Sequence, residues 1–297
     1  MQNVSGPCEF FPLPVAANTT RGEAGAGEAR AMTTATTPLG LTHVLAGILP
    51  PKPYRGGTAW YTLGHLDNAT QKFTETTAPA PLDASDLLIY TQMHSDDNRL
   101  LFVGWWNVGL SCLTAPREVT YDAELQRLHA LPVAELAQLR GESLGQHSTP
   151  TSISQGPSAA MPLFGKGQAS TSFDLEAEVA LPTDRGSSLD FGLALLASDS
   201  ENAEVVVRIT VSAATAGDDD DGRDAGVRTV NVTAGVPGTT GRQAGYNSSL
   251  AFPFPAAESV LALRVLADRT LVELFVGDGR GGAVLCCLAC LLASRVL

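Results

Sequence analysis

Chemistry needs side chains that carry charge, protons or lone pairs at usable spacing, and few in this 297-residue chain are grouped that way. The five histidines are scattered, with no i, i+4 pair and no Ser/Asp constellation of triad type, so neither a catalytic triad nor a histidine metal site is read from them. Cys286, Cys287 and Cys290 crowd an apolar tail, while Cys8 and Cys112 stand alone. A Cys-Cys-x-x-Cys group without a second Cys/His pair is a poor zinc site, and five thiols cannot all pair internally. Asp218, Asp219, Asp220 and Asp221 form a run between Gly217 and Gly222. A calcium loop needs spaced oxygens and a distal glutamate, so this run reads as a solvated hairpin loop. No glycine-rich loop opens a helix to cradle phosphate, and no cofactor is expected. What remains are single carboxylates, Glu9 and Asp83 among them, and the adjacent indoles of Trp105 and Trp106. Their roles depend on the elements that hold them.

The chain is 44% hydrophobic and 17% charged, which marks a globular protein with ample material for a core. A net charge of -12 leaves nothing to neutralise a phosphate backbone, so nucleic acid is excluded as a partner. Acidity by itself favours solubility and a neutral or cationic partner. The 29 glycines and 18 prolines, between many short Val, Leu, Phe and Thr runs, point to strands joined by turns, and the chain is expected to be mostly β. Met1 to Pro14 has neither the basic start nor the apolar core of a signal peptide. Ala283 to Ala293 is apolar but far shorter than the roughly 20 residues of a bilayer-spanning helix, so no membrane partner is expected. Five of eight asparagines, Asn3, Asn18, Asn68, Asn231 and Asn247, lie in Asn-x-Ser/Thr sequons, suggesting a secretory history.

The segment from Pro14 to about Pro53, rich in Ala, Thr and Gly, reads as a long surface loop with a few strand pieces. Strands are expected at Ala59–Gly64, Leu87–Met93 and Leu100–Trp106, with the polar turn Ser95–Asn98 between the last two. Between Tyr121 and Arg140, leucines at 125, 128, 131, 136 and 139 recur at three- to five-residue steps around Pro132. That spacing predicts two short helical turns flanking the proline, a connector between domains. Residues 142–166 read as linker. Clean alternation returns at Phe173–Val179, Val205–Val211 and Leu271–Val276, over a unit of roughly 110 residues that fits a two-sheet sandwich and is expected to fold independently.

Three groups of residues carry a resemblance. The first is Trp60-Tyr61-Thr62-Leu63-Gly64, followed by Pro81-Leu82-Asp83. The second is Arg99 to Trp106 with Pro116-Arg117-Glu118, then Leu131-Pro132-Val133-Ala134-Glu135-Leu136 and Leu139-Arg140. The third is Leu263 to Phe275, close to an Asp-Arg-Ser-x-Val-Glu-x-Phe hairpin. In this order they resemble the later part of glycoside hydrolase family 32, the invertases, inulinases, levanases and fructosyltransferases. The resemblance implies an all-β protein: the last blades of a five-bladed β-propeller over residues 1–120 and a linker over 121–167. A β-sandwich over 168–282 and an apolar cysteine-bearing tail over 283–297 complete it. It implies sucrose or a fructan as the carbohydrate partner, and an extracellular or vacuolar parent protein; it sets no oligomeric state.

The implied reaction is retaining hydrolysis of a β-fructofuranosyl bond, which needs two carboxyl groups about 5–5.5 Å apart, one nucleophile and one acid/base. The acid must hold a raised pKa while the nucleophile stays ionised. The family's nucleophile lies in a Trp-Met-Asn-Asp-Pro-Asn-Gly type motif and a second aspartate in Arg-Asp-Pro; neither occurs here. Gly6-Pro7-Cys8-Glu9-Phe10-Phe11-Pro12-Leu13 resembles the family's Glu-Cys-Pro-Asp segment imperfectly. Aligned on Phe-Phe-Pro, Gly6 falls on the acid/base position and Glu9 on the motif aspartate, so Glu9 is either a displaced acid/base or an ordinary strand-end carboxylate. Asp83 either shapes a funnel rim that binds substrate or caps a turn. Trp105 and Trp106 either stack on a sugar or pack in a core. Arg117 and Glu118 are expected to form a polar contact between domains. Asp268, Arg269 and Glu273 are expected to serve the hairpin they lie in. The chain is thus expected to be a truncated fructosidase, weakly active or inactive and prone to aggregate. The alternative is a non-catalytic carbohydrate-binding sandwich or the remnant of a degraded gene.

Overall fold

The computed structural model describes residues 9–12, 41–49, 58–83, 88–94, 99–106, 112–147, 170, 172–184, 186–195, 205–214, 226–235, 248–269 and 271–286. They form an all-β protein of four antiparallel sheets. The first sheet holds β1 (Glu9–Pro12), β2 (His43–Leu49), β3 (Thr58–Asp67) and β4 (Lys72–Glu75) in sequence order, with β5 (Ala80–Pro81) also on β3. The second holds β6 (Leu88–His94), β7 (Leu100–Trp106), β9 (Arg117–Asp122) and β10 (Arg127–Pro132), with the short β8 (Cys112–Leu113) on β7. After a 3-10 turn, Ala134–Leu139, come β11 (Ser172–Ala180), β12 (Leu189–Leu195), β13 (Val205–Val211), β14 (Val227–Gly235) and β15 (Ser248–Pro255). Then follow β16 (Val260–Asp268), β17 (Leu271–Val276) and β18 (Gly281–Cys286). The third sheet runs β11-β16-β17-β18 and the fourth β12-β13-β14-β15.

Alternation of side chains across each strand sets which face is buried. On β13, Val205, Val207, Ile209 and Val211 point inward, and on β16 Leu261, Leu263, Val265 and Ala267 do the same. The third and fourth sheets share one apolar core built from these rows together with Phe252, Phe254, Val272, Leu274 and Leu285. The first and second sheets share another, in which Phe11, Val44, Tyr61 and Leu63 meet Leu100, Phe102, Val119 and Leu128. Phe11 packs edge-on against Phe102, with ring centroids 5.6 Å apart. Tyr61 joins the sheets by a hydrogen bond as well, its hydroxyl accepting from the Leu128 N–H at 3.1 Å.

The helical turns expected between Tyr121 and Arg140 are half right. Residues 117–132 form the β9-β10 hairpin, and helical structure is confined to Ala134–Leu139. The three-residue leucine spacing misled because Leu128 and Ala130 are both strand residues drawn into the core, and His129 between them is buried as well. The turn is closed by Asp122, whose Oδ1 accepts the N–H groups of Glu124 and Leu125, and by Gln126 in the left-handed region at φ 52°. The expected strands at Val205–Val211, Leu271–Val276 and Leu100–Trp106 match the observed spans. The acidic run 218–221 and most of the linker, 148–166, lie outside the described residues.

β17 departs from simple alternation. Val272, Leu274 and Val276 face the core of the third and fourth sheets, yet Glu273 and Phe275 on the opposite face are also 2–3% exposed. That second face is covered by the second sheet, and β17 is therefore buried on both sides.

Candidate functional site

The β17 face that meets the second sheet carries a closed polar cluster. Arg117 enters from the start of β9, Asp83 from the residues after β5, Tyr90 from β6 and Glu273 from β17. Arg117 is 1% exposed, Asp83 2% and Glu273 3%, so the charges are shut away from water. Arg117 Nη1 donates to Asp83 Oδ2 at 2.5 Å and to the Tyr90 hydroxyl at 2.9 Å. Its Nη2 donates to Glu273 Oε2 at 2.7 Å. The Tyr90 hydroxyl in turn donates to Asp83, and the Ala115 N–H donates to Glu273 Oε1 at 2.6 Å. The Phe275 ring lies 4.8 Å from the guanidinium carbon and the Tyr90 ring 5.6 Å, both as cation–π contacts. Burial works against a charged Arg117, but the two carboxyl groups outweigh it and hold the guanidinium above its ordinary value. Burial pushes the Asp83 carboxyl up, with Arg117 pulling it down and Glu273 adding to the rise.

Two further polar contacts line the same junction. Arg280, in the β17-β18 turn, pairs with Glu258 at 2.7 Å, approaches Asp122 at 3.5 Å and lies over the Phe254 ring at 5.1 Å. His129 Nε2 is 3.0 Å from Asp122 Oδ2. Burial would raise the Asp122 carboxyl, but His129, the Leu125 N–H and Arg280 together hold it well below the usual carboxylate range. The Gly279 carbonyl accepts from the Ala130 N–H at 3.0 Å, a close approach that requires glycine. A Cβ at Gly279 would lie 2.7 Å from the Ala130 oxygen, and its φ is 81°. Farther along, Arg140 pairs with Asp174 at 2.7 Å and with Glu176, and Arg264 pairs with Asp174 at 2.9 Å.

The residues singled out in the sequence are dispersed. Glu9 is the first residue of β1, its backbone opposite Ala46 of β2. Asp83 faces inward to Arg117 and Tyr90 rather than outward. Trp105 is 41% exposed on the outer face of β7, opposite Leu113, which is 64% exposed. Asn68 lies in the exposed β3-β4 turn, and Asn231 is half-buried in β14, a strand paired on both sides. Asn3, Asn18 and Asn247 fall outside the described residues. The Arg117 contact follows the expected polar junction, but through Glu273 and Asp83; Glu118 instead lies 3.6 Å from Arg99. Glu273, expected to serve its hairpin, reaches Arg117 instead, and its position carries a signal: it is the single charge in Leu271-Val272-Glu273-Leu274-Phe275-Val276. Among the described residues, no three His, Cys, Asp or Glu side chains come together as a metal set, and no helix is long and apolar enough to cross a membrane.

Residues 135–282, which begin in the 3-10 turn and end at the start of β18, match the family described as Glycosyl hydrolases family 32 C terminal. The chain belongs to glycoside hydrolase family 32. A comparison with curated protein sequences gives no match. Among solved structures, fructan 1-exohydrolase IIa from Cichorium intybus aligns over 94% of this chain and 55% of its own, with a TM-score of 0.63 at 16% identity. Sucrose-6-phosphate hydrolase from Lactobacillus gasseri aligns over 83% of this chain and 47% of its own, with a TM-score of 0.56 at 18% identity. For exo-inulinase from Aspergillus awamori the figures are 95%, 52%, 0.51 and 15%. At such identities the likeness establishes a shared fold. The chain spans about half the length of each of these structures.

Proposed function

We propose that this chain is part of a β-fructofuranosidase-type glycoside hydrolase that cleaves sucrose or fructans with retention. The observation that carries the reading is the family match over 135–282 on a chain that aligns over 94% of its length with a fructan 1-exohydrolase structure. On this reading the first and second sheets, ending with β10 at Pro132, are blades of a β-propeller, residues 133–167 connect them to the rest, and the third and fourth sheets, ending with β18 at Cys286, are a β-sandwich. Glu9, at the head of β1, is the candidate acid/base. Trp105 offers an exposed indole on which a sugar ring can stack. The parent protein works outside the cell or in the vacuole, and Asn68 carries a glycan.

Retaining hydrolysis requires a nucleophile opposite the acid, and the 297 residues hold no Trp-Met-Asn-Asp-Pro or Arg-Asp-Pro motif. The chain by itself is therefore expected to hydrolyse sucrose and inulin weakly or not at all. The test is release of fructose by the purified chain, alongside Glu9→Gln. Robust turnover that survives Glu9→Gln would sink the assignment of Glu9, and turnover abolished by it would show that the chain is a competent enzyme.

A further inference from the structure

The junction between the sheets carries a charge imbalance. One guanidinium faces two carboxyl groups, and all three are at most 3% exposed. With both acids ionised the cluster would hold a net negative charge away from water, which a low-dielectric interior penalises. The two acids are not equivalent. Glu273 is held by two N–H donors, Arg117 Nη2 and the Ala115 amide, one on each oxygen. Asp83 takes Arg117 and Tyr90 on the same oxygen, Oδ2, and turns Oδ1 toward the backbone of Gly282 on β18. A Cβ at Gly282 would lie 2.8 Å from that oxygen.

We propose that Asp83 holds a proton when the sheets dock, so that closing this junction takes up one proton per chain and the junction weakens as pH rises. Among the described residues, the groups facing Asp83 are few. Tyr90 comes from β6, Arg117 from β9 and Glu273 from β17, while β18 presents backbone at Gly282. The Cys112 thiol on β8, near Glu273, is pushed up by burial and by that carboxylate, so it brings no compensating charge. Burial raises the Asp83 carboxyl, against the pull of Arg117. An acid whose folded value is raised above its unfolded value of about 3.8 contributes stability that is complete below that value. The contribution is lost as pH climbs to the folded value and is level beyond it.

The experiment compares equilibrium urea unfolding of the full chain and of Asp83→Asn at a series of pH values from about 4 to 8. Taking the ratio of the two unfolding constants cancels the titrating groups that are not coupled to Asp83. The ratio, wild type over variant, is expected to rise by up to tenfold per pH unit above the ordinary aspartate value and then level off. A ratio that stays constant across the range, or falls with pH, overturns the proposal. Should Asp83→Asn fail to fold, infrared spectra decide. The wild type in mildly acidic buffer shows a protonated-carboxyl C=O stretch that Glu273→Gln abolishes, because Asp83 then ionises against Arg117. A wild-type spectrum without that band refutes the idea.

Discussion

Replacing Arg117 by leucine removes the guanidinium between Asp83 and Glu273 and leaves the two carboxyl groups, 2% and 3% exposed, without it. Deleting one partner of a buried ion pair costs about 3–5 kcal/mol, because the remaining charge keeps its desolvation penalty and loses its compensation. Here Glu273 loses its only guanidinium partner among the described residues and Asp83 loses a donor, so the loss belongs at the upper end of that range. Against a typical total of about 5–15 kcal/mol, the variant loses a third or more of its stability. Lysine is no substitute. Arg117 reaches Asp83 with Nη1 and Glu273 with Nη2, and a single ammonium cannot span both. Urea denaturation followed by Trp fluorescence and far-UV circular dichroism measures the effect, with Trp60, 5% exposed, reporting from the first sheet. The triple variant Arg117→Leu, Asp83→Asn, Glu273→Gln is expected to recover a large part of the loss by removing the stranded charges. A destabilisation of Arg117→Leu below about 1 kcal/mol would refute the reasoning, since that is the worth of an exposed pair.

Gly282→Ala places a Cβ 2.6 Å from the Leu274 carbonyl oxygen and 2.8 Å from Asp83 Oδ1, and overpacking of this kind costs about 1–3 kcal/mol, read as a lower urea midpoint. Asp122 is held below the ordinary carboxylate value, so its stabilising share is present above about pH 3.8 and lost as pH falls toward its folded value. Asp122→Asn should accordingly flatten the acid limb of the stability profile; an unchanged limb would count against the Asp122–His129–Arg280 contact. Expressed through a secretory host, the chain is expected to lose one glycosidase-sensitive mass step in Asn68→Gln and none in Asn231→Gln. Asn68 stands in an exposed turn, while Asn231 is half-buried between two strands.

Much of the fold could be read from the chain because its strands keep a period of two. Val205–Val211 and the Leu261, Leu263, Val265, Ala267 row announce a one-sided core through β-branched and leucine residues on alternate positions. The β9-β10 hairpin was hidden by the same cue. Leu125, Leu128 and Leu131 fall at helical spacing, yet only Leu128 is fully buried, and the turn rests on Asp122 and Gln126, which no hydrophobic count registers. The polar junction was half legible. Pro116-Arg117-Glu118 marked a cation in a turn, but its partners Asp83 and Glu273 lie 34 and 156 residues away, and only the folded arrangement of sheets brings them together. Periodicity reports which face of a strand is apolar. It says nothing of a strand such as β17, enclosed by two different neighbours.

Enclosure on both sides gives β17 a further significance. Phe275, Glu273 and Val284 would meet water if the C-terminal unit stood free, so that unit is not finished without its neighbour. A single proteolytic nick between residues 147 and 170 would therefore yield two fragments that elute as one particle, held by non-covalent contacts rather than by the peptide bond that was cut.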